Sequence, residues 1–433
     1  MNHTKSALLL PLLGALLSVP VASAAPAPAQ PAAPAPASDK LVLTNATIHV
    51  GDGSVIEGGS ILIEDGKIAR IESKAITGVE GATNLDLGGK TVTPGLIAAD
   101  TSLGLVEIEL EDSTRDDARK DEHAIKAGYD PAPAVNADSS LIAIQAIEGV
   151  TTAAVAPRGG LISGEVAWID LRAGDHLGIV AAREVGVVAN LGRSYQGSRA
   201  AALAELRRAL EDAAWYKANQ RAHERNQARE LAAHPADLEA LWPVLEGQVP
   251  LLVRASRASD LLALVELAKE FDLKLSLLGA SEGWKVAEAL AEAEASVIIQ
   301  PSSNLPGSYD SLGARLDNAK LLHEAGVSVA IAHFDTHNVR NVTQEGGLAV
   351  ANGLPPEAAI PAMTLNVAKA YGLDDSYGSL EVGKVANLVV WDGEDPLELS
   401  TWPEQVYIRG EAIEMRSRQT QLRDKYFDLD GFK

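Results

Sequence analysis

The sequence predicts an α/β protein built on a closed barrel of parallel strands, with a small β unit drawn from both ends of the chain. Three observations carry that prediction. Seven short runs rich in Val, Ile and Leu alternate with helix-like segments, at residues 92–97, 150–155, 185–191, 249–254, 273–278, 295–299 and 327–332. Continuous apolar runs of this kind are parallel strands buried on both faces. Alternating strands stand at both chain ends, where neither group could bury a face alone. Finally, 433 residues with 46% hydrophobic content are ample for one large barrel with additions.

Taken in order, the first residues form an export signal. Lys5 precedes an apolar run over 7–17, and Ala22-Ser23-Ala24 is a small-x-small cleavage site, so residues 1–24 are expected to be removed on export, to a bacterial periplasm. Residues 25–38 are almost wholly Ala and Pro, a solvated tether. With no cysteine, an exported protein has no disulfide staples and must rely on its core. No apolar run is long enough for a membrane span. The net charge of −22 repels phosphate backbones and anionic lipid, which argues against nucleic-acid or membrane partners.

From Lys40 the chain alternates through Leu41-Val42-Leu43 to Val50, then through Ser60-Ile61-Leu62-Ile63 to Ile71, with Asp65-Gly66 as the hairpin turn between two strands. Ala386-Asn387-Leu388-Val389-Val390-Trp391 and Val406-Tyr407-Ile408 supply strands at the other end. In between, the seven runs are one short of the eight that a closed barrel needs. Residues 161–171 read as an extra hairpin. Residues 198–233 form a long charged helix in which Glu205, Arg207, Arg208, Glu211 and Asp212 give paired signs, a solvated face. The acidic stretch 107–130, which contains His123, follows the first barrel strand and would overhang the mouth as a solvated loop. His49, His223, His234 and His323 read as surface residues. No phosphate loop, nucleophile elbow or Cys/His cluster appears.

Several motifs then resemble one family. Thr93-Pro94-Gly95-Leu96-Ile97, Gly159-Gly160-Leu161-Ile162-Ser163-Gly164, Thr364-Leu365-Asn366-Val367-Ala368-Lys369 and Gly378-Ser379-Leu380-Glu381-Val382-Gly383-Lys384 resemble the imidazolonepropionase-like branch of the amidohydrolase superfamily. The resemblance implies a TIM-type (β/α)8 barrel over 94–374, beside a β-sandwich composed of 39–93 and 375–433. It also implies hydrolysis of non-peptide C–N bonds by zinc or another divalent metal, which lowers the pKa of bound water and polarises the carbonyl.

The ligand positions depart from that pattern. The first strand ends in Asp100 and Ser102 where the family has His-x-His. Arg254, in Leu251-Leu252-Val253-Arg254-Ala255, stands in the place of the fifth-strand His, and Ser281 in that of the sixth. No bridging Lys or Glu is evident on the fourth strand. Asp335 alone matches, as the last-strand Asp. A guanidinium at Arg254 would oppose a divalent cation. Asp100, Ser102 and Ser281 are therefore candidate substrate-binding groups. Asp335 (general base) and Arg254 (carbonyl polariser) are the candidate catalytic pair of a metal-free route.

His333, Asp335 and His337 alternate, so on a strand they share one face and could, with Asp100 and with Glu107 opposite, rebuild a metal site. The contrasting expectation is that Asp335 and Arg254 neutralise each other as an ion pair. Two functions remain open from the sequence. One is an exported amidohydrolase-like hydrolase with a rebuilt site. The other is an inactive family member that binds a small molecule in the barrel mouth, forms a homo-oligomer, or pairs with an intact amidohydrolase subunit.

Overall fold

The computed structural model describes residues 40–427, apart from positions 193, 194, 196, 228 and 304. The predicted export signal and Ala/Pro tether lie outside the described residues. The rest forms one compact unit.

The chain opens with β1 (Lys40–His49), β2 (Val55–Glu64), β3 (Lys67–Glu72), β4 (Thr83–Asp86) and β5 (Thr91–Pro94). Asp65 and Gly66 join β2 to β3 with φ of 50° and 74°, the turn chemistry anticipated from Asp-Gly. β1 pairs with β2 along its length, with β4 over Leu41–Thr44, and with β5 at Thr47 and Ile48. Asn45, at φ 56°, marks the changeover between those two neighbours. The core between these strands is Leu43, Ile48, Ile61, Ile63, Ile68, Leu388 and Val390.

The middle of the chain supplies β6 (Leu96–Thr101), β7 (Val150–Val155), β8 (Ile162–Glu165), β9 (Ala167–Asp170), β10 (Val180–Ala182), β11 (Val187–Asn190), β12 (Leu251–Ala255), β13 (Leu275–Gly279), β14 (Ser296–Ile299) and β15 (Ser328–Ile331). The predicted run 92–97 is thus two strands, divided at Gly95. A Cβ there would lie 2.0 Å from the Thr151 Oγ1, so only glycine lets the chain cross from the small sheet into the barrel. β6 and β7 are parallel, as are β11 through β15.

The missing strand is the segment that reads as an extra hairpin. β8 and β9 do not pair with each other: β8 runs antiparallel to β11, and β9 antiparallel to β7. Together they fill the third position of the barrel in reverse. Only six residues separate β7 from β8, too few for the helical crossover a parallel return needs, so the strand comes back antiparallel. The Thr101 hydroxyl donates to the Asp335 carbonyl at 2.8 Å, which ties the first barrel strand to the residues after the last. Ile97, Ala99, Ala154, Trp168, Val188, Leu252, Leu278, Ile298 and Ala330 form a common buried cluster with Val367, Ala368 and Tyr371 from the helix Leu365–Ala370 and its end.

The tail returns to the first sheet as β16 (Leu388–Trp391), β17 (Pro403–Ile408) and β18 (Glu411–Ala412), with β16 antiparallel to β5. Both chain ends therefore build one eight-stranded ladder. Asp170, fully buried at the end of β9, fastens it to the barrel. The Arg409 Nε (2.6 Å), the Asn387 Nδ2 (2.9 Å) and the Tyr377 hydroxyl (3.3 Å) all donate to its carboxylate.

The charged helix spans Arg199–Glu224, starts on the Ser198 cap and bends at Asn219. Its Asp212 is buried and pairs with Arg229, rather than lying on a solvated face. The acidic loop is likewise pinned, by Arg115 to Asp117 at 3.2 Å and Arg119 to Asp237 at 3.0 Å. Asp117 is buried, not solvated. Of the histidines expected at the surface, His234 and His323 are exposed and His223 is partly so. His49 is half-buried beside a cavity of about 390 Å³ lined also by Glu357, Glu394 and Asp395, and burial pulls its pKa down. No described helix is long and apolar enough to cross a membrane.

Candidate functional site

Barrel-mouth chemistry depends on what stands at the strand ends. Near the end of β6 stands Asp100, whose backbone lies in the left-handed region at φ 59° within an irregular stretch of the β6–β7 ladder. Asp and Asn tolerate that region better than most residues. The turn aims the buried carboxylate at two guanidiniums. Arg254, at the end of β12, donates Nε to Oδ2 at 2.9 Å and Nη2 to Oδ1, a two-pronged pair. Arg158, just after β7, donates Nη1 to Oδ2 at 3.1 Å and Nη2 to the Asp100 carbonyl at 2.9 Å. Burial alone would push the Asp100 carboxyl up; Arg158 and Arg254 outweigh it and hold the group well below the usual carboxylate range. Burial works against the Arg254 charge too, and Asp100 again prevails, raising its pKa.

Arg254 is otherwise occupied as well. Its Nη1 donates to the Asn190 Oδ1 at 3.1 Å, and its Nη2 also reaches the Pro157 carbonyl at 3.2 Å. Asn190 sits opposite Arg254 in the β11–β12 register and is oriented by donating its own Nδ2 to Gly160 and Ser163. This neutral amide is what the fourth strand carries in place of a bridging ligand.

The expected Asp335–Arg254 ion pair does not form; the Arg254 partner is Asp100. Asp335 lies past the end of β15, in a turn, so His333, Asp335 and His337 do not share a strand face. The Asp335 Oδ1 accepts from the backbone N–H of His337 at 2.6 Å and of Asn338 at 3.2 Å, and Oδ2 from the Asn338 amide at 3.3 Å. Burial pushes this carboxyl up, but those donors more than compensate and keep it ionised. His333 turns away to Glu345, 2.8 Å from its Nδ1, in a network with Gln300 and Ser302. Glu107 is engaged by Ser139 and Ser140 at the start of the helix Ser140–Ala146.

The structure therefore separates the proposed metal candidates. Asp100 and His333 are engaged elsewhere, while Asp335 and His337 meet Glu109, with ligand atoms within 4.8 Å of one another. Glu109 is largely exposed and 3.8 Å from His337. Of the candidate binding groups, Ser102 and Ser281 are both buried at strand ends, and Ser102 has the Arg158 Nε at 3.5 Å. Sequence reasoning missed Arg158, Asn190 and Glu345. A signal for Arg158 was present, since Pro157-Arg158-Gly159-Gly160 directly follows a barrel strand.

Residues 262–414 match the amidohydrolase family. The fold agrees: an amidohydrolase from Thermotoga maritima MSB8 superimposes with a TM-score of 0.76 at 23% identity, over 87% of this chain and 100% of that one. Residues 262–414 are thus similar in sequence to the amidohydrolase family, and the chain as a whole shares the fold of a solved amidohydrolase. An adenosine deaminase from Xanthomonas campestris with bound zinc shares the fold at a TM-score of 0.54 and 18% identity, covering 89% of this chain and 98% of that one. An imidazolonepropionase of Pseudomonas aeruginosa (strain LESB58) is 53% identical over 49 residues, 11% of this chain and only 12% of that protein. An amidohydrolase of Hapsidospora irregularis is 28% identical over 185 residues, 41% of this chain and 19% of its own length.

The divalent metal that the family resemblance implies does not fit this cluster. Both Asp100 carboxylate oxygens are taken by guanidiniums, Arg254 puts a fixed cation in the fifth-strand position, and Asn190 and Ser281 offer no anionic or imidazole ligand. A divalent cation there would face two guanidiniums at short range.

Proposed function

We propose that this protein keeps the amidohydrolase barrel as a small-molecule-binding scaffold and does not use the superfamily's metal route. One observation supports the reading: the buried Asp100 carboxylate stands where a metal ligand would, and it is committed to Arg254 and Arg158. Export to the periplasm, argued from residues 1–24, is part of the proposal, as is pairing with an intact amidohydrolase subunit or with another copy. The test is elemental analysis of protein purified without chelator, with and without added zinc. Less than a tenth of an equivalent of metal supports the reading. A full equivalent that survives dialysis overturns it.

A second reading, hydrolysis of a non-peptide C–N bond, draws on the Asp335 carboxylate, which is ionised and has His337 and Glu109 beside it. It would use Asp335 as general base. Arg254 no longer serves as carbonyl polariser, because Asp100, Asn190 and Pro157 hold its donors. Turnover of amide or dipeptide substrates that disappears in Asp335→Asn would favour this reading; turnover unchanged in that variant would remove it.

A further inference from the structure

The ion cluster at the barrel mouth is unbalanced: two guanidiniums face one carboxylate. Arg254 is enclosed, but the Arg158 side chain is 32% exposed and opens to solvent from the C-terminal end of β7. Each of its Nη atoms carries two hydrogens. One from each goes to Asp100, and the Nε contact with Ser102 is long at 3.5 Å. The side-on edge of the guanidinium, made by the Nε N–H and the remaining Nη2 N–H, is thus only weakly held.

The neighbouring acids do not supply the missing charge. Asp117, whose carbonyl accepts from the Arg158 N–H, gives its own carboxylate to Arg115. Glu107 is held by Ser139 and Ser140, Asp335 by the turn that follows it, and Glu109 lies toward His337. Among the described residues, Asp100 is the ion-pair partner of Arg158. The buried Tyr371 hydroxyl, close enough to feel the charges of Asp100, Arg254 and Arg158, makes no well-formed hydrogen bond.

We infer that the barrel mouth is an anion receptor in which Arg158, backed by Arg254 and positioned by Asp100, binds the carboxylate of a small organic acid. A carboxylate matches the guanidinium fork in a way a spherical anion does not. It would also complete a two-to-two charge balance in a partly buried site. The overall charge of −22 repels anions at long range, so selectivity rests on this local fork. This inference rests on the metal-free reading above and names the ligand class for it.

The test titrates the full chain with N-acetylglycine, its uncharged twin N-acetylglycinamide, and inorganic phosphate, all at constant ionic strength, by calorimetry and by shift in melting temperature. Saturable binding of N-acetylglycine, none of the amide, and at least a tenfold loss in Arg158→Met are expected. Asp100 retains Arg254 in that variant, so the fold should persist; Arg158→Lys, which keeps the charge but not the fork, should bind with intermediate affinity. Equal binding of the amide, or unchanged binding in Arg158→Met, overturns the inference. Tighter binding of phosphate than of N-acetylglycine overturns the carboxylate assignment. Binding abolished by chelator but unaffected by Arg158→Met would instead expose a bound metal, the failure of the metal-free reading itself.

Discussion

Replacing Asp100 with Asn tests the central cluster with little collateral damage. The two side chains have nearly the same shape, and Asn accepts the left-handed backbone that Asp100 adopts at φ 59°. The change therefore removes charge without adding strain. What remains is Arg254 and Arg158 facing each other, both partly or wholly withdrawn from water. Removing one partner from a buried ion pair costs about 3–5 kcal/mol, and the second guanidinium places this site at the upper end. In urea unfolding followed by circular dichroism, the midpoint should fall by roughly 1–2 M with unchanged slope. Adding Arg254→Met to Asp100→Asn should recover at least half of the loss, because the orphaned charge goes with it.

The pH dependence has a definite sign. The folded Asp100 carboxyl titrates below its unfolded value of 3.8, so its contribution is complete above about pH 4 and declines as the pH falls below that. The gap between wild type and Asp100→Asn should therefore narrow on acidification. A loss below about 1 kcal/mol at pH 7 would refute the argument that these charges depend on each other.

Three further outcomes follow from the same structure. Glu165 on β8 is buried near Glu184 and Asp130; burial first, then those charges, push its carboxyl up to about 7. Its folded value exceeds the unfolded 4.5, so stability should fall as pH rises from about 4.5 to about 7, by at most about 3 kcal/mol; Glu165→Gln should flatten that slope in melting temperature against pH. Gly95→Ala should cost at least about 1–3 kcal/mol by overpacking against Thr151, measured by urea midpoint, with partial recovery on adding Thr151→Gly. Asp170→Ala should cost about 3–5 kcal/mol by leaving Arg409 unpaired at the seam between sheet and barrel, read as earlier protease cleavage there.

Much of the fold was legible because strands and turns are local. Six of the seven apolar runs fall on barrel strands, the run 92–97 straddles β5 of the small sheet and β6, and Asp65-Gly66 makes the hairpin that its dipeptide specifies. Residues 161–171 were misread because a β segment states that it will pair but not with which neighbour. Its two halves found β11 and β7 instead of each other. The site was legible only as a substitution pattern: Asp100, Arg254 and Ser281 standing where histidines belong.

By itself, the sequence determined most of the strand content and the loss of the usual ligand types, since these depend on residue identity and near-neighbour geometry. Only the tertiary structure decided that Arg254 answers Asp100 and not Asp335, and that Arg158 joins them. Those residues are 58 to 154 positions apart along the chain. Barrel closure sets which strand ends face one another, and the turn after β15 satisfies Asp335 locally before any distant cation can.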